Sequence, residues 1–388
     1  MTAIRKGLSH QQFERAKTVA FVNNAHLPEA YQVELFEESL RVAESVLAPR
    51  GLEERLVLIV GGAGYIGSVL TEQLLRQGYR VRSQDLLLYH NQLTVLPFLG
   101  RPGYEFVQGD YADRDHMEAC LEGVTDVVIL AGLVGDPITK KYPNESQRIN
   151  HDGMLALIDR LDGRGLNRVV FVSTCSNYGL IPQDTLADEN YELSPLSLYA
   201  KAKVAMETAL LGIKGRVDYQ TTVLRFATAF GLSPRMRFDL TVSEFTRAMY
   251  LGHELVVYDA HTWRPYCHLG DFSEVIRRVL EAKPERVAFE VFNAGGEVNN
   301  FTKQMIVDAI LTQLPDAKVG YQQHGSDPRN YRVDFTKIRE RLFFQPRYTV
   351  HDGVSELIAA LRSGLFRNVE QPASFFGNYA IDYPAAEA

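Results

Sequence analysis

Residues 56–81 read LVLIVGGAGYIGSVLTEQLLRQGYRV, which places an apolar run, a glycine-rich segment and an amphipathic segment in immediate succession. This order predicts a buried β-strand, a tight turn and a helix. The glycines fit two spacings, G-x-G-x-x-G from Gly62 and G-x-x-G-x-x-G from Gly61, and both spacings end at Gly67. Glycine at these positions lets the backbone approach a pyrophosphate at the N-terminus of a helix, whose dipole favours an anion. The stretch therefore predicts a dinucleotide-binding loop.

Asp85 ends the next predicted strand, YRVRSQD. A carboxylate roughly 20 residues beyond a glycine loop can accept hydrogen bonds from the adenosine ribose, and it would repel a 2′-phosphate. Asp85 therefore favours NAD over NADP, although Arg80 and Arg82 are nearby positive charges that weaken this preference. Asp110, at the end of VQGD, is a candidate contact to the adenine amino group, with a loop-capping role as the alternative.

After Leu56 the sequence alternates β-rich apolar runs with helical segments. The runs are LVLIV, YRVRSQD, YEFVQGD, DVVILAG and RVVFVST, and a further strand is predicted over 221–231. Runs that are apolar on both faces and alternate with helices predict an α/β fold with a doubly wound parallel sheet. Beyond about residue 232 the pattern is mixed, with a helix predicted near 241–251. This part is expected to form a smaller lobe over the carboxyl edge of the sheet, where open α/β sheets bind ligands.

Three regions are predicted along the chain. Residues 1–54 form a helical N-terminal extension, 55–232 a Rossmann domain that binds the dinucleotide, and 233–388 a substrate-binding lobe with a C-terminal tail. Some segments of the third region are expected to return to the sheet. The extension is inferred from apolar residues at three- and four-residue spacing between Val33 and Leu47. Such an apolar stripe needs a cover, either from the same domain, a second subunit or another partner.

Composition narrows the classes of function. The formal net charge of −7 has no basic block that could neutralise nucleic-acid phosphates, so no nucleic-acid partner is expected. Cys120, Cys175 and Cys267 are far apart and suggest neither a metal site nor a disulfide framework. No apolar stretch approaches the roughly 20 residues that cross a bilayer, and the opening lacks the apolar core of a signal peptide. We therefore expect a cytoplasmic enzyme that acts on small molecules, without a membrane partner.

The segment YAKAK places Tyr199 and Lys203 four residues apart, on one face of a predicted helix. It follows the strand RVVFVST, which ends at Thr174. A phenol with its usual pKa of about 10 is a poor base, but a neighbouring ammonium and an oxidised nicotinamide would both favour phenolate. We expect Tyr199 to remove a hydroxyl proton and Thr174 to hold the reacting oxygen. Lys203 would supply positive charge and a hydrogen bond to the nicotinamide ribose.

These motifs together resemble the extended short-chain dehydrogenase/reductase family, specifically its NAD-dependent nucleotide-sugar epimerases and dehydratases. The resemblance covers roughly residues 56–360. It rests on GGAGYIG, Asp85, the GD at Asp110, LAGLVG, Asn150, STCSNYG, YAKAK and WRPYCHLGD. It implies catalytic roles for Thr174, Tyr199 and Lys203. It also implies NAD as the cofactor, bound by Gly61, Gly64, Tyr65, Ile66, Gly67, Asp85, Asp110, Leu130, Ala131, Gly132, Tyr199 and Lys203.

The resemblance extends to the substrate, a nucleotide sugar. Arg264 in WRPYCH lies where relatives have an arginine on the nucleotide pyrophosphate, and the planar guanidinium suits that contact. Arg329 resembles a second such arginine, and Arg235 or Arg237 is a candidate for added charge. Thr228 replaces an asparagine that touches the sugar nucleotide in many relatives, which implies an altered pocket. Surface arginines without a ligand role are the alternative. Relatives commonly form homodimers through helices that flank the sheet, so a homodimer is expected.

Departures from the family pattern reduce the number of reactions that the sequence supports. Sugar 4,6-dehydratases carry an Asp-Glu pair directly after the catalytic threonine, where this chain has Cys175 and Ser176. The glutamate of decarboxylating relatives is also absent from this segment. Relatives that epimerise at C3 and C5 use a cysteine nearby, but alignment on Tyr178 and Gly179 places Ser176 at that position. Cys175 is one residue early, which favours an inert buried thiol.

The chemistry that remains is removal of hydride from the sugar C4 and its return to the other face, so the sequence favours a nucleotide-sugar 4-epimerase. Three alternatives stay open. One is a ketoreductase or dehydrogenase of a nucleotide sugar, which would consume cofactor stoichiometrically. Another is a C3/C5 epimerase. The third is a scaffold that binds nucleotide without catalysis, which the joint presence of Thr174, Tyr199 and Lys203 disfavours.

Overall fold

The computed structural model describes residues 51–182, 184–323, 325, 329–366, 369 and 374–383. The helix predicted between Val33 and Leu47 lies outside the described residues, as does most of the proposed extension 1–54. Within the described part of the chain, no helix combines the length and apolar character that crossing a membrane requires.

The first half of the described chain alternates strands and helices as the sequence pattern predicts. Its elements are β1 (Leu56–Val60), α1 (Gly67–Arg76), β2 (Arg80–Asp85), β3 (Tyr104–Gln108), α2 (Arg114–Leu121), β4 (Asp126–Ile129), α3 (Asp136–Lys141), α4 (Pro143–Gln147), α5 (Met154–Asp159), β5 (Arg168–Thr174), β6 (Leu186–Ala187) and α6 (Leu198–Gly212). A π-helix covers Arg148–Gly153, and short 3₁₀ helices cover Leu52–Glu54, Gln92–Thr94 and Cys175–Tyr178.

The second half has shorter strands and more variable spacing. Its elements are β7 (Thr221–Phe226), β8 (Thr228–Phe230), α7 (Thr241–Tyr250), β9 (Leu255–Tyr258), β10 (Trp263–His268), α8 (Leu269–Glu281), α9 (Pro284–Val287), β11 (Glu290–Ala294), β12 (Asn300–Thr302), α10 (Lys303–Leu311), β13 (Val319–Gln322), β14 (Arg332–Val333), α11 (Thr336–Leu342) and α12 (Val350–Arg362). Further 3₁₀ helices cover Glu297–Asn299 and Ser374–Phe376.

Seven strands form the main sheet in the order β11-β7-β5-β4-β1-β2-β3, and every neighbouring pair is parallel. Strand β1 shows why the sheet is covered on both faces. Val57 and Ile59 pack into one apolar cluster and Leu58 and Val60 into another, so all of its residues are buried. A strand that is apolar at every position is stable only between two covering layers. The prediction of a doubly wound α/β fold is confirmed.

Smaller sheets form mostly from the later part of the chain, and strands β8 and β10 of the first of them line a cavity at the carboxyl edge of the main sheet. Their strand orders are β12-β10-β8, β13-β9 and β14-β6. Strand β11 lies within the range 233–388 that was predicted as the substrate lobe, and it pairs with β7 in the main sheet. The range 233–388 therefore contributes strands to the main sheet as well as to the smaller sheets.

The single strand predicted over 221–231 is wrong, because the structure has two strands there. Strand β7 pairs with β5 and β11 in the main sheet, whereas β8 pairs in parallel with β10 in a separate sheet. The apolar run continues through both strands, so its periodicity carries no sign of the change in partner. The change places Thr228, the first residue of β8, at the wall between the two layers.

Candidate active site

A cavity of about 520 Å³ lies at the carboxyl edge of the main sheet, beneath the smaller sheets. Its volume falls within the range of roughly 300–1,000 Å³ that is typical of small-molecule sites. The predicted site residues converge there from distant parts of the sequence. Its wall includes Gly61, Gly64, Tyr65, Ile66, Gly67, Asp85, Asp110, Leu130, Ala131, Gly132, Thr174, Tyr199, Lys203, Thr228, Arg235, Arg237, Arg264 and Arg329.

The glycine loop is tied to the sheet by its own backbone. The amides of Gly61 and Gly62 both donate to the carbonyl of Gln84, at 2.8 and 3.1 Å. Gly61 has a φ of +93°, and a Cβ there would lie 2.8 Å from the amide nitrogen of Ala131. Gly67 begins α1 directly beneath the loop. The loop thus meets the backbone requirements of a pyrophosphate cradle, with a helix N-terminus at its end.

Asp85 lies beside this loop at the end of β2. Its carboxylate oxygens accept hydrogen bonds from the amides of Ala63 at 3.0 Å and Leu87 at 2.8 Å. Each oxygen can accept a second bond, so the group keeps capacity for ribose hydroxyls. Arg82 is engaged elsewhere, with Glu105 at 2.6 Å, and neither it nor Arg80 lines the cavity. Neither arginine that weakened the preference for NAD therefore reaches the cavity, although burial raises the pKa of Asp85 and the charge of Arg235 in the cavity wall acts to lower it.

Asp110 has the loop-capping role, and its predicted contact to the adenine amino group stays a prediction. One of its oxygens accepts the amide of Ala112 at 2.8 Å, which is the loop-capping contact. The other accepts the hydroxyl of Tyr383 at 2.5 Å, and both Asp110 and Tyr383 line the cavity. The sequence analysis missed Tyr383 because no motif or apolar periodicity marks the last residues of the chain.

Tyr199 and Lys203 lie in the first turns of α6, whose start is fixed by Ser197 accepting the amide of Ala200 at 3.2 Å. The Lys203 ammonium donates to the carbonyl of Val172 on β5 at 2.8 Å, and its nitrogen is 5.9 Å from the centre of the Tyr199 ring. Burial lowers the pKa of Lys203 to about 8, while the charge of Glu207 acts in the opposite direction. The lysine therefore lies where its charge acts on both the phenol and the cavity.

Burial also raises the pKa of the Tyr199 phenol, and the charge of Asp136 adds to that effect. Arg237 and Arg329 act against it. In the protein by itself the phenol is therefore protonated at neutral pH. The positive charge of an oxidised nicotinamide would favour the phenolate, so bound cofactor would prepare Tyr199 as a base.

Thr174 ends β5 and shares a hydrogen bond of 2.6 Å with the hydroxyl of Ser176. The Thr174 oxygen also accepts the backbone amide of Ser176 at 3.1 Å. Both side chains line the cavity. Cys175, between them, points away from the cavity: its thiol donates to the carbonyl of Arg225 at 3.1 Å, and burial raises its pKa. The expectation of an inert buried thiol therefore agrees with the structure.

A buried ion pair behind β5 was also missed by the sequence analysis. Arg225 on β7 donates to Glu207 on α6 at 2.8 Å, and both side chains are almost fully buried. Glu207 also accepts the Asn177 amide at 2.7 Å and the Ser173 hydroxyl. Because the pair joins α6 to the strands, it fixes the helix that bears Tyr199 relative to Thr174. The residues are scattered along the sequence, and their pattern gives no signal of this contact.

Two of the arginines predicted to bind the substrate, Arg235 and Arg264, are buried rather than on the surface. Arg235 is only 3% exposed, and it donates to the side chain of Asn378 at 2.7 Å. Burial lowers the pKa of Arg235 to about 10. Arg264 is 7% exposed and lies 5.0 Å from the ring of Tyr331.

Two further arginines of the cavity are paired with carboxylates. Arg329 lies 3.0 Å from Asp136, and Arg237 pairs with Asp239 through two hydrogen bonds of 3.0 and 2.5 Å. These pairs reduce the net positive charge. The arginines of the cavity suit one compact anion such as a pyrophosphate rather than a polyanion.

Comparison with known proteins agrees with this site. The family described as "NAD dependent epimerase/dehydratase family" matches residues 57–295, which is more than half of the 388 residues. A dTDP-glucose 4,6-dehydratase of Streptomyces niveus is 29% identical over 319 residues, covering 78% of this chain and 91% of the relative. A UDP-N-acetyl-α-D-glucosaminuronate decarboxylase of Bacillus cytotoxicus is 26% identical over 330 residues, covering 79% and 97%.

Among solved structures, the UDP-glucose 4-epimerase of Thermotoga maritima with UDP-glucose superposes with a TM-score of 0.71. Its sequence is 25% identical, and the match covers 80% of this chain and 99% of that one. These relatives carry out different reactions on nucleotide sugars, so they support the enzyme class and the NAD cofactor rather than one reaction. This chain is a member of the NAD-dependent epimerase/dehydratase family.

Proposed function

We propose that this enzyme epimerises a nucleotide sugar at C4 through a transient 4-keto sugar. The observation that carries the proposal is the position of Thr174, Tyr199 and Lys203 around one cavity with the glycine loop. The side chains directly after Thr174 supply no acid or base for another outcome. Hydride removal and return is the reaction that this set of groups supports without an additional acid or base.

In this mechanism Thr174 donates its single hydroxyl proton to the sugar C4 oxygen, and the Ser176 hydroxyl is then the donor in the bond between the two side chains. Tyr199 removes the proton of that hydroxyl and returns a proton in the second half of the cycle. Lys203 holds the ribose next to the phenol. NAD held by the glycine loop and Lys203 would supply the hydride acceptor for C4 and the hydride that returns to the keto sugar. The cofactor ends each cycle in its starting state.

Elimination of water is not supported by the carboxylates around the cavity. Among the described residues these are Asp85, Asp110, Asp136 and Asp239. The first two accept backbone amides at the dinucleotide end, and the last two are paired with arginines. None follows Thr174, where a dehydratase needs its acid and base. Epimerisation at C3 and C5 is not supported either, since the Cys175 thiol points away from the cavity.

The nucleotide pyrophosphate is proposed to bind near Arg235, Arg264 and Arg329, with Thr228 beside the sugar. Arg235 and Arg264 are buried guanidinium groups whose charge an anion would compensate, whereas Arg329 is partly exposed and already paired with Asp136. The homodimer and the cytoplasmic location stay predictions. Light scattering of the purified protein would test the first, and cell fractionation the second.

The decisive experiment analyses the products of NAD-loaded protein by mass spectrometry, which gives the change in mass, and by proton NMR, which gives the configuration at C4. UDP-glucose, dTDP-glucose and UDP-glucuronic acid form the panel, because relatives are named for UDP- and dTDP-linked sugars. We expect a product of unchanged mass with inverted C4, and no net accumulation of reduced cofactor. Loss of one water, loss of carbon dioxide, or a change of two hydrogens would instead indicate a dehydratase, a decarboxylase or a reductase. Tyr199→Phe is the matched inactive control.

A further inference from the structure

Residues 374–383, here named the C-terminal strap, cross the mouth of the cavity beyond the region that matches the family. The strap begins on the substrate side. The amide of Phe238 donates to the carbonyl of Phe376 at 2.8 Å, and the Phe376 ring lies 6.1 Å from the rings of both Phe238 and Phe366. An apolar cluster therefore anchors its first residues.

Asn378, in the middle of the strap, joins the two sides of the cavity. Its side-chain oxygen accepts Arg235 at 2.7 Å, and its side-chain nitrogen donates to the carbonyl of Val134 at 2.7 Å. Arg235 belongs to the later part of the chain and lies over the ring of Tyr89, whereas Val134 follows β4 in the main sheet. Lys141 adds a bond of 3.0 Å to the carbonyl of Tyr379. The side-chain amide of Asn378 and the backbone carbonyl of Tyr379 thus connect the strap to both sides of the cavity.

Tyr383 ends the strap at the dinucleotide side. Its hydroxyl donates to Asp110 at 2.5 Å, and the guanidinium of Arg148 lies 4.9 Å from the centre of its ring. Its ring also packs against the apolar cluster beneath the main sheet. Burial raises the pKa of Tyr383, and the Asp110 carboxylate raises it further, so the phenol remains a donor. The contact covers the end of the cavity where the adenine of NAD is proposed to lie.

We propose that the C-terminal strap is an outer wall of the dinucleotide site and retains NAD between turnovers. Asn378, Tyr379 and Tyr383 line the cavity, and their bonds reach both layers. NAD cannot leave through this face until those bonds break. The inference rests on the proposed function, because an epimerase regenerates its cofactor in every cycle and loses nothing by slow exchange. A reductase, in contrast, must exchange cofactor at each turnover.

The test measures dissociation of NAD rather than catalysis. Protein loaded with radiolabelled NAD is mixed with excess unlabelled NAD, and the label that stays bound is followed by rapid filtration. We expect Tyr383→Phe to release NAD about tenfold faster, the effect of losing one hydrogen bond to a charged group, and Asn378→Ala to release it at least as fast, because it also loses the bond to the Val134 carbonyl. The double variant should release it up to about a hundredfold faster. Thermal unfolding should stay close to that of the wild type.

Tyr321→Phe is the matched control, because Tyr321 is exposed, bonds to Gln304 and lies outside the cavity wall. Its rate should equal that of the wild type. If Tyr383→Phe and Asn378→Ala release NAD at the wild-type rate, the strap does not retain NAD, and the proposed epimerase function is unaffected. A wild type that takes up no NAD would overturn both, and a wild type that exchanges NAD as fast as it turns over would overturn retention.

Discussion

The two ends of the cavity are built in different ways. The dinucleotide end consists mainly of backbone from one continuous stretch, the β1 to β2 segment with its glycine loop. The sugar-nucleotide end consists of side chains from three separate segments, represented by Arg235, Arg264 and Arg329. A backbone cradle needs no countercharge when empty, whereas a buried guanidinium does.

The partners of these arginines show the consequence. Arg329 is paired with Asp136, and Arg235 relies on the strap residue Asn378. The lowered pKa of Arg235 reflects the cost of burying its charge. The arginines therefore depend on partners far away in sequence. At the dinucleotide end the glycine loop is held by the neighbouring strand β2, and contacts such as that between Asp110 and Tyr383 join remote segments of the described chain. Variants at the junction of the two ends, and then at each end, should show separately what each end contributes to turnover, substrate binding and NAD binding.

Tyr199→Phe, at the junction, should have the largest effect. Removing a general acid and base lowers turnover by about 10³-fold, within the usual range for such a group. NAD should still be bound by the variant, because the ring, Lys203 and the glycine loop remain in place. The measurement is turnover with the best sugar of the panel, together with the NAD content of the purified variant. Wild-type turnover in this variant would contradict the proposed role of the phenol.

Arg264→Lys should weaken binding of the nucleotide sugar without affecting NAD. A lysine keeps the charge but loses the planar fork, so KM should rise by about 30-fold with little change in NAD retention. Arg332→Lys is the control, since Arg332 is next to the same strands but does not line the cavity. Equal KM values for the two variants would remove Arg264 from the pyrophosphate site.

Gly61→Ala should weaken binding of NAD at the glycine loop. The added Cβ would press on the backbone of Ala131, and we expect the Kd for NAD to rise by about tenfold through strain and displacement of the loop. Gly78→Ala is a close control, because Gly78 has nearly the same φ, +92°, with no atom within 4 Å of a Cβ. Calorimetric titration of NAD into both variants would compare them. If both bind NAD alike, the close approach of the loop does not matter.

The smallest expected effect is the pH dependence set by Lys203. Because its folded-state pKa is about 8, its ammonium loses its proton as the pH rises through that value, and turnover should fall severalfold. Stability should change in the opposite direction. Between about 8 and the ordinary 10.5 the unfolded chain holds the extra proton, so this group makes folding more favourable as pH rises. Turnover and urea unfolding across that window test both signs, and a parallel loss of both would indicate general denaturation.

Local sequence determined the features whose interactions span only a few residues. The glycine loop, the start of α1, the Asp85 position and the Tyr199–Lys203 pair each follow from spacing within one strand or helix. The apolar runs of β1 and β5 similarly required cover on two faces. These features were predicted because backbone dihedrals and side-chain periodicity act over short distances along the chain.

Only the tertiary structure decided which distant groups meet. It divided 221–231 between two sheets, paired Glu207 with Arg225, turned Cys175 away from the cavity and placed Tyr383 on Asp110. Each of these outcomes depends on contacts between segments that are remote in sequence. Hydrophobic patterning tells how strongly a residue is buried, but it does not identify the partner, and for buried polar groups the partner sets the energy.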